Sequence, residues 1–304
     1  MNYKNLLQAI GNTPLIKVDF GTPPTVLAKL EYLNPAGSLK DRSALYMIED
    51  AERNGKLKPG GTIIEASSGN QGIAASMIGA YKGYNVIVTV SDKFAKEKVD
   101  TLRAYGTQVV VCPATSNLED PQSYHSTAVK IHKNTPNSIM LNQYFNPTNA
   151  KAHYYSLGPE IWEQTNGSVT HFFGAAGTCG HTMGIGKYLK EKNKNVKIIP
   201  VDASNSWYST KGHPKPYKLE GIGIDFNTPL LDESLVHEFT TVSDEDAIAM
   251  LKTLARKHGL LVGPSSGAVA HCVKEYSKNL TPNDVVVMVL GDSGRAYLTK
   301  GFYA

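Results

Sequence analysis

Apolar positions along this chain follow two rhythms, short unbroken runs and stretches with three-to-four-residue spacing, and the two alternate from one end to the other. In the first half, residues 26–33 form a strand-like run. Over 43–54, Leu45, Ile48 and Ala51 share one face while Glu49, Asp50, Glu52 and Arg53 lie elsewhere. That spacing predicts an amphipathic helix stopped by Gly55, starting near Lys40 with Ser38 as its candidate N-cap. Further along, the pattern predicts a buried strand over 62–66, a small-residue helix over 73–81, a strand over 85–90, a helix over 95–105 stopped by Gly106, and a strand over 107–112. A β-α-β-α-β succession makes a largely parallel sheet with crossover helices on its faces.

The second half repeats the alternation without repeating the sequence. A helix is predicted over 154–164, a strand over 169–173, a glycine-rich turn over 174–181, a helix reaching 192, and a strand over 196–201. Residues 204–227, rich in Gly, Pro, Ser and Lys, form the longest irregular stretch, which in a compact domain is usually a functional loop or lid. Ser243, followed by Asp244, Glu245 and Asp246, supplies an N-cap and an acidic first turn for a helix ending at His258 before Gly259. Gly263-Pro264-Ser265-Ser266-Gly267 opens another helix, and 284–290 is a final hydrophobic strand.

Composition narrows the function classes. At 304 residues, 41% hydrophobic and 19% charged, the chain can bury a full core, as two subdomains or one large α/β unit. A net charge of +4 is mild, and the densest basic stretch, Lys190 to Lys197, reads as the solvated end of a helix. No basic stripe interleaves with aromatics, so nucleic acid is not an expected partner. Cys112, Cys179 and Cys272 lie far apart without a Cys-x-x-Cys, which suggests neither a disulfide framework nor a zinc site. With no signal peptide and no apolar run long enough to span a bilayer, the expectation is a cytoplasmic protein that does not engage a membrane.

The candidate chemistry centres on Asn34-Pro35-Ala36-Gly37-Ser38-Leu39-Lys40-Asp41-Arg42, a turn that opens a helix. A cation in a helix's first turn is disfavoured by the dipole and by the orphan N–H groups around it. A lysine that must be a neutral amine to attack a carbonyl and form a Schiff base gains from such a place. The other reading is a surface lysine paired with Asp41. Three polar, small-residue turns each follow a strand and precede a helix, the carboxyl edge where parallel sheets bind ligands. Ser67, Ser68, Asn70 and Gln71 offer hydroxyls, amides and helix N–H groups suited to a carboxylate, or else an elaborate cap. Gly174 to Thr182 resembles an anion cradle but carries neither a Walker ending nor a clean dinucleotide fingerprint. Ser265 and Ser266 form a simple cap or face a heterocyclic nitrogen. Cys179 and His181, at i and i+2 with no third ligand, make a weak metal pair. No Ser/His/Asp ordering points to a hydrolase.

In combination these pieces resemble, along nearly the whole chain, the fold-type II pyridoxal-phosphate enzymes of the cysteine synthase and cystathionine β-synthase family. The resemblance rests on Gly11-Asn12-Thr13-Pro14-Leu15, the Lys40 stretch, Ser67-Ser68-Gly69-Asn70, Asn142-Gln143-Tyr144, Gly177 to His181, Glu220-Gly221-Ile222-Gly223 and Gly263 to Gly267, all in the family's order. It implies an α/β fold of two subdomains, each a largely parallel twisted sheet flanked by helices. A smaller mobile domain spans 41–145, and a larger one spans 1–40 and 146–304 and holds the phosphate of pyridoxal 5′-phosphate.

By the same resemblance Lys40 carries the cofactor and moves the substrate α-proton. Asn70 binds the ring oxygen, Gly177, Thr178, Cys179, Gly180 and His181 hold the phosphate, and Ser265 faces the ring nitrogen. Ser67, Ser68, Gln71 and Gln143 receive the amino-acid carboxylate. Gly221 and Asp225 belong to a segment closer to the cystathionine β-synthases, with Asp225 set to meet the amino group of a second amino acid. The implied reaction is β-replacement on serine or an O-activated serine through an aminoacrylate, giving cysteine from sulfide or cystathionine from homocysteine. Serine/threonine dehydratase and hydrogen-sulfide-producing cysteine desulfhydrase are the alternatives. The implied partners are small amino-acid and thiol or sulfide substrates, a second copy in a homodimer, and in some relatives a serine acetyltransferase. Neither a regulatory tandem extension nor a haem-binding stretch before Gly11 is expected. The carboxylate loop usually reads Thr-Ser-Gly-Asn-Thr and the phosphate loop Gly-Thr-Gly-Gly-Thr. Here Ser67 and Gln71 replace both threonines of the first, and Cys179 and His181 replace a glycine and a threonine of the second.

Overall fold

The structure is a computed structural model that describes residues 3–67, 69–92, 96–115 and 119–304. In chain order its strands and helices are β1 (Leu15–Lys17), β2 (Thr25–Leu30), α1 (Lys40–Arg53), β3 (Thr62–Glu65), α2 (Asn70–Lys82), β4 (Asn85–Ser91), α3 (Lys96–Ala104), β5 (Gln108–Cys112), α4 (Tyr124–Asn134), β6 (Ser138–Met140), α5 (Thr148–Tyr155), α6 (Leu157–Gln164), β7 (His171–Ala175), α7 (Gly180–Lys192), β8 (Lys197–Ala203), β9 (Thr240–Val242), α8 (Asp244–His258), α9 (Pro264–Ser277) and β10 (Val285–Leu290). No helix among the described residues is long and apolar enough to cross a membrane.

Contacts divide the chain into two compact units, Met1–Ile10 with Asn34–Asn149, and Gly11–Leu33 with Ala150–Ala304. The first unit reaches beyond the 41–145 division that the resemblance implies, because residues 3–10, 34–40 and 146–149 also make their contacts in it. The whole lysine stretch therefore belongs to the first unit.

The first unit is built on a four-stranded sheet in the order β5-β4-β3-β6, parallel throughout. All four residues of β3 are buried, as a continuous Thr-Ile-Ile-Glu run in a two-sided parallel sheet requires. Ile63, Val86, Val88 and Val90 pack with Ala44, Met47 and Ile48 of α1 and Ala74 and Ile78 of α2. The second unit carries a six-stranded sheet, β1-β2-β10-β7-β8-β9, parallel except for the β1–β2 pair. Its core has one layer around Ile199, Val286 and Met288 with α8 and α9, and another around Phe172, Ile198 and Val287 with α6 and α7.

Several local expectations are corrected. Ser38 is not the N-cap of α1. The left-handed turn at Gly37 (φ 88°) lets Leu39 already adopt helical dihedrals, so Leu39 is the cap residue, and the Ser38 hydroxyl accepts the Lys40 N–H at 3.2 Å. The single helix over 154–164 is two helices, α5 and α6. Ser156 leaves the helical region and donates to the Ala152 carbonyl at 2.6 Å, and Pro159 lacks the N–H that a continuous helix would need. Two elements, α4 and β6, carry too weak a pattern to be read. Only Ala128 of α4 is fully buried, and β6 is three residues long. By contrast α8 begins and ends where the sequence places it, with Ser243 accepting the Asp246 N–H at 3.1 Å and Gly259 left-handed at φ 68°.

Candidate active site

In the first unit three segments meet at the carboxyl edge of the sheet. Lys40 opens α1, half-buried. The Asp41 carboxylate reaches back to accept the Ala36 N–H at 2.7 Å, which pins the turn ahead of the lysine. Across from this turn, α2 starts at Asn70 directly after β3 and Ser67. Gly72 in its first turn lies so close to Ser67 that an added Cβ would overlap the Ser67 carbonyl oxygen. A side chain there would push the loop away, so the glycine is a packing requirement.

The Ser43 hydroxyl ties the two helix starts together, lying 2.9 Å from Gln71 Oε1 and 3.1 Å from the Lys40 carbonyl. Gln71 is 1% exposed, and its Nε2 has no hydrogen-bond partner. A buried amide donor without an acceptor costs about 1–3 kcal/mol, so a ligand oxygen there is strongly favoured. The third segment follows β6, where Leu141 N–H bonds to the Ile64 carbonyl. Asn142 turns left-handed (φ 50°) to present Gln143, which is 7% exposed and whose Oε1 is also unpartnered. The Asn149 amide holds the Gln143 carbonyl at 2.8 Å. The structure thus brings Lys40, Ser67, Asn70, Gln71 and Gln143 into one cluster; Ser68 lies outside the described residues.

One member of this cluster was not foreseen. Glu65, the last residue of β3, is 1% exposed. Burial pushes its carboxyl up to about 8, against the downward pull of the Asn142 N–H and the Lys40 charge. The sequence signal was slight, a glutamate closing an otherwise apolar run.

In the second unit the loop between β7 and α7 contains the predicted phosphate residues. Gly177, Thr178, Cys179, Gly180 and His181 curve around the start of α7, with Thr178 Oγ1 accepting the Gly180 N–H at 3.3 Å. Cys179 is buried and left-handed at φ 61°, a conformation that glycine adopts without strain. A Cβ added at Gly177 would point between the carbonyls of Gly221 and Gly223, at 3.7 and 3.9 Å. Gly223 N–H bonds to the Ala176 carbonyl at 2.7 Å, so the 221–223 segment is stitched to the loop. Ser265, at the start of α9, stands 3.4 Å from the point a Cβ on Gly221 would occupy. These residues therefore surround one small cradle beside a helix N-terminus, which suits a phosphate.

His181 is 7% exposed. Its Nε2 lies 3.3 Å from the Thr182 hydroxyl, which itself donates to the Ala175 carbonyl at 3.1 Å, so the imidazole donates to the threonine. Asp225 is exposed and accepts the Tyr217 hydroxyl at 2.6 Å. The irregular stretch after β8 is anchored from Asp202, whose carboxylate accepts the backbone N–H groups of Ala203 (2.9 Å) and Ile224 (3.0 Å) and the Ser206 and Ser209 hydroxyls. Asp202 is fully buried, and burial raises its carboxyl above the usual range. No group of three His, Cys, Asp or Glu side chains converges as a metal ion would require among the described residues.

A family model described as pyridoxal-phosphate dependent enzyme matches residues 6–292. The chain belongs to the pyridoxal-phosphate-dependent enzyme family. Among curated relatives it is 40% identical over 305 residues to a cystathionine β-synthase of Apis mellifera, covering 97% of this chain and 60% of that protein. It is 37% identical over 302 residues to the O-acetylserine dependent cystathionine β-synthase of Bacillus subtilis (strain 168), covering 98% of this chain and 97% of that protein. Among solved structures, a hydrogen sulfide-producing enzyme from Fusobacterium nucleatum superposes with a TM-score of 0.91 at 34% identity, over 98% of each chain. The chain spans only 54–62% of the length of the animal, yeast and slime-mould cystathionine β-synthases it matches. The residues of each unit suit that cofactor chemically: the first holds the Lys40 amine and the buried, unpartnered amide of Gln71, and the second a cradle of backbone suited to a phosphate.

Proposed function

We propose that this chain catalyses β-replacement on serine or an O-activated serine, with sulfide giving cysteine or homocysteine giving cystathionine. The observation that carries the reading is Gln71. Its Oε1 is committed to Ser43, so its buried Nε2 is left to receive an acceptor within the same cluster as the Lys40 amine. An amino acid presents a carboxylate oxygen and an α-amino group one carbon apart, which matches that pairing.

Pyridoxal phosphate, when bound, supplies a sink for the electron pair released at Cα. The chain's own residues do the rest. Lys40 Nζ takes the α-proton as a general base once its amine is free. Ser67, Ser68, Gln71 and Gln143 fix the carboxylate and so aim the Cα–H at that amine. Asn70 donates to the ring oxygen, and Gly177, Thr178, Cys179, Gly180 and His181 hold the phosphate. Ser265 offers the ring nitrogen a neutral hydroxyl where a carboxylate would keep it protonated. That neutral Ser265 hydroxyl would favour prompt loss of the β-substituent over long-lived carbanion chemistry. Asp225, oriented by Tyr217, is set to receive the amino group of a second amino acid.

The likeness to a hydrogen sulfide-producing enzyme favours a second reading on the same residues, in which cysteine is the β-substituted substrate and sulfide leaves. One experiment tests both. Serine, O-acetylserine, O-phosphoserine and cysteine are each offered alone and with sulfide or homocysteine, and the products are identified by mass. Cysteine or cystathionine formed only when a thiol is present supports β-replacement; sulfide released from cysteine supports the second reading. Pyruvate from serine without any thiol contradicts both and indicates a dehydratase.

A further inference from the structure

Asp202, next to last in β8, is wholly buried and takes no part in the reaction proposed above. Its two oxygens are used differently. Oδ1 accepts the N–H of Ala203 at 2.9 Å and, from across the loop, the N–H of Ile224 at 3.0 Å. Oδ2 accepts the hydroxyls of Ser206 and Ser209, the second at 2.5 Å, and Ser206 Oγ accepts the Ser209 N–H at 3.0 Å. Four neutral donors on one buried carboxylate make charge-assisted bonds, stronger for the lack of competing water. The two serines fix the plane of the carboxylate, and that plane aims Oδ1 at Ile224. The segment around Ile224 is held from both sides. Its carbonyl accepts the Tyr208 N–H at 3.0 Å, and the Gly223 N–H reaches the Ala176 carbonyl at 2.7 Å. Side chains alternate along it: Ile222 and Ile224 are buried, whereas Gly221 and Asp225 are exposed. The isoleucines therefore fix the depth of the segment, the hydrogen bonds fix its register, and Asp225 is carried on the open side. Tyr217 orients the Asp225 side chain, but the backbone beneath it is held at Asp202.

We propose that Asp202 is a positioning residue for the second substrate, a buried carboxylate that favours an amino-acid thiol over bare sulfide by holding the Asp225 backbone in register. The role rests on the proposed function, in which Asp225 meets the amino group of that second amino acid. Sulfide has no amino group, so the register of the segment is indifferent to it. Homocysteine has one, and a carboxylate shifted by about an ångström from its ammonium loses most of its use. The groups assigned to the first amino acid, Lys40, Ser67, Gln71 and Gln143, belong to the other unit, so a change confined to Asp202 separates the two substrates.

The test compares two nucleophiles on one enzyme. The holoenzyme, saturated with pyridoxal phosphate and O-acetylserine, is assayed with homocysteine and, separately, with sulfide. In Asp202→Asn, which keeps the shape and removes the charge, the ratio of kcat/KM for homocysteine to that for sulfide is expected to fall about tenfold, through KM for homocysteine. An unmoved ratio, or parallel losses with both nucleophiles, overturns the proposal. Should Asp202→Asn show no cooperative melt, Ser206→Ala combined with Ser209→Ala decides. That pair leaves Asp202 and Ile224 in place but frees the carboxylate plane, so the same ratio is expected to fall about threefold, and no change is a refutation. Hydrogen exchange read by peptide mass gives a measurement apart from activity. Peptides covering 221–226 are expected to lose protection while those covering β3 keep it, and unchanged exchange over 221–226 overturns the proposal. A parent chain that makes cysteine but no cystathionine also overturns it and leaves β-replacement standing, whereas a parent that makes neither product sinks the proposed function and the role built on it.

Discussion

Lys29→Met removes a cation that is wholly buried and fully used. Its ammonium donates to the Thr13 carbonyl at 2.5 Å, to Glu160 Oε2 at 2.7 Å and to Gln164 Oε1 at 2.8 Å. The other oxygen of Glu160 accepts the Asn12 N–H at 2.9 Å, and the Gln164 amide also reaches the Thr13 carbonyl, at 3.0 Å. The Thr13 hydroxyl in turn donates to buried Glu31 at 2.6 Å. The Gly-Asn-Thr-Pro-Leu motif is thus held in the second unit by one salt-bridged network. Removing one partner of a buried ion pair costs about 3–5 kcal/mol, because the other charge remains. The Glu160 side chain is 15% exposed and recovers some water, which places the expected loss near 3 kcal/mol. For a unit of this size that lowers the melting temperature by about 6–12 °C. Guanidinium titration and calorimetry on the full chain measure both. Lys29→Met combined with Glu160→Met is expected to be less destabilised than the two single losses added together, since neither charge is then stranded. A single-variant loss under about 1 kcal/mol, or strict additivity, refutes the argument that this network fixes the motif.

Three further outcomes follow from the two units. Gly72→Ala gains helix propensity but overlaps the Ser67 carbonyl, so a net loss of about 1–2 kcal/mol is expected in denaturant titration, with weaker retention of pyridoxal phosphate on dialysis; a more stable variant contradicts the packing. Cys179→Gly is expected to melt within a few degrees of the parent, because glycine adopts φ 61° freely, whereas Cys179→Val should lose about 1–3 kcal/mol, and equal melts for the two variants contradict the strain argument. Glu65 has a carboxyl raised from 4.5 to about 8, so the stability it contributes is complete below pH 4.5 and is lost as pH rises towards 8. Glu65→Gln should therefore match the parent at pH 4 and exceed it by about 3 kcal/mol at pH 7, and a gap independent of pH contradicts the assignment.

The parts of the fold that could be read from sequence are those where local chemistry and tertiary packing agree. Helix α8 carries its cap, its acidic first turn and its terminal glycine in the sequence, and nothing in the fold overrides them. The loop between β7 and α7 was legible as a turn, since its glycines lie between an apolar strand and a helix, whereas its reading as a phosphate cradle came from the resemblance. Where packing decides, local pattern misled. Ser38 looked like a cap until Gly37 turned the chain early, and 154–164 looked continuous although Ser156 and Pro159 break it. Glu65 was invisible as a site residue because its burial comes from the Leu141–Gln143 segment crossing the end of β3, a contact between positions far apart in the chain. Gln71 was offered for a carboxylate from its residue type and place in the loop, with an elaborate cap as the other reading, and the Ser43 hydrogen bond that leaves its amide nitrogen available needed the α1–α2 packing.

The central claim is that the amine of Lys40 carries the cofactor's aldehyde. Borohydride reduction of the full chain in the presence of pyridoxal phosphate, followed by proteolysis and mass analysis of every lysine-containing peptide, tests it most directly. The account predicts one pyridoxyl group, on Lys40, and none on the same protein carrying Lys40→Ala. A pyridoxyl group on another lysine, or no stable adduct at all, contradicts it.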